Sequence, residues 1–497
     1  MKLFFTVLLS LYSMLVFSQT LIDDEGLRKT ILLHKDLVSI PNLPEDEDRM
    51  LQNINWVTQS YEALGFETTL LPSSTLPLLL TEKVYDPKLK TVLFYFHIDG
   101  QPVDKANWDQ SDPFVPVLKA QDATGTWNKL DWDALDGSIN DEWRVFARAA
   151  ADDKAPIIML LAALQKMKAA QVVPKFNIKV IFDPEEEYSS SALLSTLSKY
   201  KDQYKADYFI VMDGPAHDSN KPTITYGCRG IVTCSITTYG AKLPQHSGHF
   251  GNYVSNPVFA LADLLSSMKN NQGEVLIKDY YKGITITPEI SEVLRSVPYD
   301  STEFNNQLGI YTSEKIGANY QEALQYPSLN IRQIGTSWTG ENLKTVVPEF
   351  AKADIDVRLV PETDAQDQLE KIKKHIRAQG FHVIDRDPTD TERKTYAKIA
   401  KFTGGSGINS FRTDLDSEFG KTIALTLTKA FNEEPIKIRM MGGTVPIVPL
   451  INELNIPTLI IPMVNMDNNQ HSPNENIRIG NLRQGILICE AILSVKL

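Results

Sequence analysis

Val92 to Phe96 is an unbroken apolar run of strand length. A strand that packs on one face and meets water on the other alternates apolar and polar residues. An unbroken run must be covered on both faces. Ile178 to Phe182, Tyr208 to Met212 and the apolar stretch Pro457 to Val464 read the same way. Helical stretches lie around these runs. In 154–169, Pro156 suits the first turn, and Ile157, Leu160, Leu161, Leu164 and Met167 form one stripe. Residues 21–39 and 46–64 read as two more helices, the second with Leu51, Ile54, Val57, Tyr61 and Leu64 at helical spacing. Strands alternating with helices predict an α/β domain whose sheet is largely parallel and flanked by helices.

With 497 residues, the chain is long enough for a second domain. The pattern changes after Gly214. Thr223 to Thr238 reads as a half-exposed strand, and 256–269 as a helix. After a long insertion at 270–327 come strands at 328–335 and 350–360, a helix at 363–378 and a strand at 381–385. In the second of those strands, Ala353, Ile355, Val357 and Leu359 alternate with Asp354, Asp356 and Arg358. The order strand, helix, strand, strand, helix, strand predicts an α+β, ferredoxin-like domain inserted at 216–388. It splits the α/β domain into residues 20–215 and 389–497. Arg386 to Glu392 reads as the linker back, and a helix at 413–431 resumes the first pattern.

The N-terminus carries Lys2, an apolar run from Leu3 to Phe17, then Ser18 and a polar stretch. That order predicts a signal peptide over 1–18, cleaved near Ser18 or Gln19, and so a periplasmic or secreted protein. An uncleaved anchor is the other reading, but the run is short for a membrane span. The formal charge is −12 with no basic run, which argues against a nucleic-acid partner. The three cysteines, Cys228, Cys234 and Cys489, have neither the number nor the spacing of a disulfide framework, and read as small buried hydrophobes.

In open α/β sheets, ligands sit beyond the carboxyl ends of the strands. His97 and Asp99 follow the first run. Asp183, Glu185, Glu186 and Glu187 follow the second, and Asp213 the third. The loop after the fourth holds His471, and Asp152 and Asp153 precede the 154–169 helix. Each has an ordinary reading alone: a structural histidine, a solvated charge run, a helix cap, a turn. Together they put two imidazoles and many carboxylates on one rim with no Lys or Arg evenly interleaved to neutralise them. Such acids repel one another unless a cation sits among them. A metal pair answers this, and the ligand types suit zinc, with manganese or cobalt as alternatives.

These segments resemble the metallopeptidase family of carnosinase-type dipeptidases, aminoacylase-type amidohydrolases and glutamate carboxypeptidases. The resemblance spans nearly the whole mature chain. It rests on His97-Ile98-Asp99-Gly100, Arg148 to Pro156, Glu186-Glu187, Asp213-Gly214 and His471-Ser472-Pro473-Asn474-Glu475. It implies that His97, Asp152 and Asp213 hold one zinc, and that Asp152, Glu187 and His471 hold the other. Asp152 then bridges, Asp99 orients His97 and Glu186 is the general base. A cis peptide after Asp152 is implied too. Tyr226 to Gly230 opens the inserted domain as the family's lid opens. His246 stands at the lid histidine that would stabilise the oxyanion. Arg358, with Gly443 and Thr444 of the glycine-rich turn, stands where the family binds the substrate carboxylate.

The chain departs from the family where glycines become Ala147, Ala149 and Ala155. Tyr188-Ser189 replaces a residue-plus-glycine, and Gln245 precedes the lid histidine. None of these removes a ligand. The expectation is a hydrolase with two zinc ions per subunit that cleaves the amide bond of dipeptides or small peptides with a free carboxylate. An N-acyl amino acid amidohydrolase or a carboxypeptidase could use the same site. A binding protein on a dead hydrolase would be expected to lack Glu186 or a ligand. No G-x-S-x-G supports a serine hydrolase. The resemblance also implies a homodimer in which His246 reaches the partner's site, although the 270–327 insertion is long enough to place it within one chain.

Overall fold

A computed structural model describes residues 21–497; the expected signal peptide and its cleavage point lie outside the described residues. The central sheet has eight strands. In spatial order they are Glu67–Leu71, Leu78–Lys83, Asn177–Asp183, Thr91–His97, Tyr208–Val211, Thr458–Ile460, Thr223–Thr225 and Ile436–Ile438. The stretch from Asn177–Asp183 to Thr458–Ile460 is parallel throughout. Antiparallel partners extend it at both sides. The sheet is therefore mixed and largely parallel, as the apolar runs predict.

The unbroken Val92–Phe96 run has a direct cause. Val92, Phe94 and Phe96 point into one core with Leu27, Met159 and Ile486. Leu93 and Tyr95 point into another with Leu193, Val448 and Ile451. These partners come from helices Asp24–Val38, Lys154–Ala169 and Ile479–Ser494 on one face, and Ser191–Tyr200 and Val448–Leu454 on the other. Lys154–Ala169 is buried almost all round, because Asp24–Val38 and Ile479–Ser494 cover the side it turns away from the sheet.

A second, five-stranded sheet runs in the order Ser328–Gly335, Phe350–Leu359, Gly230–Tyr239, Ile399–Gly404, His382–Ile384. Helices Pro257–Ser266 and Ala365–Ala378 cover one face. Their Leu261, Leu264, Leu369 and Ile372 meet Val232, Ile236 and Ile355. Only one face is covered, so Gly230–Tyr239 alternates strictly between buried and half-buried residues.

Two features depart from the expected split at 216–388. Thr223–Thr225 belongs to the central sheet, between Thr458–Ile460 and Ile436–Ile438. The second sheet also runs past 388. Ile399–Gly404 lies antiparallel to Gly230–Tyr239, in the place expected for the 381–385 strand. His382–Ile384 lies outside it, in parallel. Only Ile399, Ala400 and Phe402 of that strand are buried, while Lys401 is half-buried and Thr403 exposed. That sparse pattern hid it behind the polar linker.

A small antiparallel sheet pairs Asn476–Arg478 with Arg144–Phe146, and the latter with Val117–Gln121. It ties the segment after His471 to the segment before Asp152. The three cysteines are buried and unpaired. No helix among the described residues is long and apolar enough to cross a membrane.

Candidate metal centre

Parallel register brings the carboxyl ends of three strands level. His97 lies opposite Asp183, and Tyr95 opposite Val211, two residues before Asp213. Asp152 reaches the same rim from the loop before helix Lys154–Ala169, and its peptide bond to Asp153 is cis. Asp152 faces two imidazoles. Its Oδ1 lies 2.8 Å from His97 Nε2, and its Oδ2 lies 3.2 Å from His471 Nε2. His471 Nε2 is also 3.3 Å from Glu187 Oε2. Ligand atoms of His97, Asp152 and Asp213 lie within 4.8 Å of one another, and so do those of Asp152, Glu187 and His471. The two triads share Asp152, and each supplies the imidazole and carboxylate donors that suit a divalent transition metal.

Charge at the rim also fits cations. Burial, then the negative charge of Asp152, pushes Asp213 up to about 6. Burial drives Glu186 well above the usual carboxylate range; nearby His97 opposes this, while Asp213, Glu187 and Asp152 add to it. Asp152 goes the other way: burial opposes its ionisation, but hydrogen bonds with His471 and His97 hold it below the usual range. Contacts with Asp152 and Glu187 lift His471 to about 10. The rim is a cluster of buried acids short of positive charge, and bound cations would relieve it.

Asp99, fully buried, does more than the expected orientation of His97. Its Oδ1 lies 3.3 Å from His97 Nδ1, which fixes the ring so that Nε2 faces the rim. The same carboxylate accepts the backbone N–H groups of Glu186 and Glu187, each at 3.1 Å. One side chain thus sets the imidazole and the Glu186–Tyr188 turn together. Asp183 supports that turn from below, accepting from Glu185 N–H and from the Tyr95 hydroxyl. Gln101 Nε2 donates to Glu187 Oε2 at 2.8 Å.

Glu475 has a supporting place that its sequence position did not reveal. It is buried, and both its oxygens are engaged. One accepts from Arg148 Nη1 at 2.7 Å and from Ala149 N–H; the other accepts from the N–H groups of Ala151 and Asp152. The available signal was an acid directly before the short strand Asn476–Arg478, with Arg148 as a base at the start of the Asp152 motif. Ala149, one of the positions where the family has glycine, adopts φ +60° and is held there by Glu475. Ser189, at the other, adopts φ +70°. Both departures place a Cβ in the left-handed region, at about 1 kcal/mol each. Glu475→Gln should leave buried Arg148 without a counter-charge, costing about 3–5 kcal/mol. Denaturant unfolding in the presence of chelator checks this; a loss below about 1 kcal/mol would contradict the role given to Glu475.

The residues expected to hold a substrate carboxylate meet. Arg358 Nη1 donates to Thr444 Oγ1 at 2.9 Å, and Thr444 Oγ1 donates to the Arg229 carbonyl at 2.7 Å, next to Gly443. His246 does not join the rim. It is exposed in a short pairing of Gln245–His246 with Val346–Val347, its Nδ1 accepts from Gly248 N–H, and its ring packs on His249.

The model of peptidase family M20/M25/M40 matches residues 93–494. The Cys-Gly metallodipeptidase dug1 of Schizosaccharomyces pombe is 26% identical over 422 residues, covering 83% of this chain and 81% of its own. The human Beta-Ala-His dipeptidase is 26% identical over 418 residues, covering 82% and 75%. Among solved structures, the M20 metallo-carboxypeptidase Sso-CP2 of Sulfolobus solfataricus superposes with a TM-score of 0.73 at 25% identity, over 94% of this chain and 98% of that one. Human carnosine dipeptidase 1 shares the fold with a TM-score of 0.68. The match begins just inside the first apolar strand and ends in the last helix, and the chain belongs to peptidase family M20/M25/M40.

Proposed function

We propose that this chain is a two-metal dipeptidase acting on small substrates with a free C-terminal carboxylate. The observation that carries this is Asp152, whose two oxygens each face one histidine and so divide six donors into two sites. His97, Asp152 and Asp213 would hold one ion, and Asp152, Glu187 and His471 the other. Zinc suits the mixed imidazole and carboxylate set, with manganese or cobalt as alternatives. Two such ions supply a polarised carbonyl and an acidified water.

The chain's own groups do the rest. Glu186 belongs to neither triad. Its buried carboxylate is free to take the water's proton and deliver it to the leaving nitrogen. Asp99 holds that turn in register with His97. Arg358, set by Thr444, would accept the substrate's carboxylate in a charge-assisted pair. Similarity to dipeptidases named for Cys-Gly and β-Ala-His substrates favours dipeptides over N-acyl amino acids.

A panel of dipeptides and N-acyl amino acids, assayed after metal loading, tests the reading. Dipeptides should be cleaved faster. Turnover of N-acyl substrates alone would replace this reading with a deacylase. Arg358→Ala should raise KM for substrates with a free carboxylate by about 10–100-fold, the worth of one charge-assisted hydrogen bond. C-terminally amidated substrates should be insensitive; equal effects on both would refute the carboxylate role.

Export is part of this proposal, supported by the Lys2 to Gln19 pattern. So is a homodimer formed through the inserted domain. Ser328–Gly335 is an edge strand of the second sheet and exposes Ile331 and Ile334, while Tyr253 and Phe259 are exposed on the same domain. His246, whose contacts in its own chain are local, would then complete the partner's site. Mixing inactive His246→Ala and Glu186→Gln chains with subunit exchange checks this. Recovered activity is expected, because one site of the mixed dimer is intact. No recovery despite proven exchange would place His246 in its own chain's site.

A further inference from the structure

A cavity of about 710 Å³ opens beside the metal rim. Asp213 is in its wall, and so are Gly442 and Gly443 of the turn that leads to Thr444. Glu186, Glu187, His471, Arg358 and Thr444 are not. The cavity therefore runs from Asp213 at the metal rim to the Gly442–Gly443 turn, beyond the side chains of Arg358 and Thr444. A dipeptide anchored by its carboxylate at Arg358 and Thr444 would extend its N-terminal residue toward this cavity.

The far wall comes from the long insertion. Tyr299, Phe304 and Tyr320 form an aromatic cluster with ring centroids 5.1–5.9 Å apart. All three line the cavity. The insertion is fastened to the segment that carries Asp213: His217 Nε2 lies 3.1 Å from the Pro298 carbonyl. The wall is thus fixed with respect to the metal ligand.

The lining has one sign of charge. Asp218, Asp300 and Glu303 stand in it, and among the described residues no Lys or Arg does. Met441, Leu324 and Ile460 line it as well and give an apolar path. An apolar stretch that ends among aromatic faces and carboxylates fits a long aliphatic stem with a cation at its tip.

We infer that this cavity is the subsite for the side chain of the substrate's N-terminal residue, and that it selects lysine or arginine there. The inference rests on the dipeptidase reading above. The insertion then serves as the specificity wall of the active site, with Asp218 and Glu303 as its charge-reading residues. Asp300 also caps helix Ser301–Leu308 through the N–H groups of Thr302 and Glu303, so it is a poor choice for substitution.

The test compares Lys-Gly, Glu-Gly and Gly-Lys on the metal-loaded protein and on the Asp218→Lys/Glu303→Lys double variant. Both positions are exposed, so the fold should tolerate the change. The wild-type protein should favour Lys-Gly over Glu-Gly in kcat/KM by about tenfold or more, with the difference mainly in KM. The double variant should cut that ratio by about tenfold or invert it. The ratio is internal to each preparation, so a lower folded fraction cancels. A wild-type ratio near one, a preference that follows lysine only in Gly-Lys, or a ratio unchanged in the variant would each overturn the inference while leaving dipeptidase activity intact. If no dipeptide is cleaved at all, the dipeptidase reading has failed and this inference falls with it.

Discussion

Glu186→Gln is expected to keep both metal ions and lose turnover by about 100-fold or more. That is roughly 2.7 kcal/mol of transition-state stabilisation at 1.36 kcal/mol per decade. The expectation follows from placement. Glu186 stands beside both triads but belongs to neither, and its backbone N–H is held by Asp99. Glutamine keeps the shape and leaves that backbone bond in place, so the change removes proton transfer and little else. Its neighbour should behave in the opposite way. Glu187 Oε2 faces His471, so Glu187→Gln should lower metal content first and activity as a consequence. Metal analysis alongside kcat separates the two. Near-normal turnover in Glu186→Gln would mean that the base is elsewhere.

The second large effect is expected at Asp152. Its carboxylate is shared by both triads, so Asp152→Ala should weaken both sites together and bring turnover to background. His97→Ala and His471→Ala should each weaken one. Stability gives a second readout. An ion at 100 times its dissociation constant stabilises the folded chain by about 2.7 kcal/mol. Chelation should therefore lower the unfolding free energy of the wild-type protein and change that of Asp152→Ala little. An Asp152→Ala chain that still gains stability from added metal would show that the bridge is not the organising element.

The residues that make this centre were legible because most of them lie next to an element whose apolar pattern marks its end or its start. His97 and Asp213 follow such runs directly, and Asp152 precedes a helix whose stripe and Pro156 mark its start. What sequence did not reveal depends on pairing between distant segments. Glu475 acts by accepting N–H groups from Ala149, Ala151 and Asp152, and the register of Asn476 with Phe146 that brings it there carries no pattern of its own. Ile399–Gly404 was missed because few of its residues are buried, and it took the place assigned to His382–Ile384. The cavity beside Asp213 is invisible to local reading, because its wall is drawn from the 213–218 segment, the insertion and the 438–443 turn. The sequence did mark 270–327 as a long insertion, but nothing in it says that Tyr299, Phe304 and Tyr320 cluster.

The most direct measurement of the central claim is metal stoichiometry by elemental analysis on the wild-type and Asp152→Ala proteins, with dipeptidase activity read on the same samples. The account predicts two divalent ions per wild-type chain, activity that disappears with chelation and returns with zinc, cobalt or manganese, and neither ion held tightly by Asp152→Ala. Full activity in a wild-type preparation stripped of metal, or an Asp152→Ala chain that keeps two ions, would contradict it.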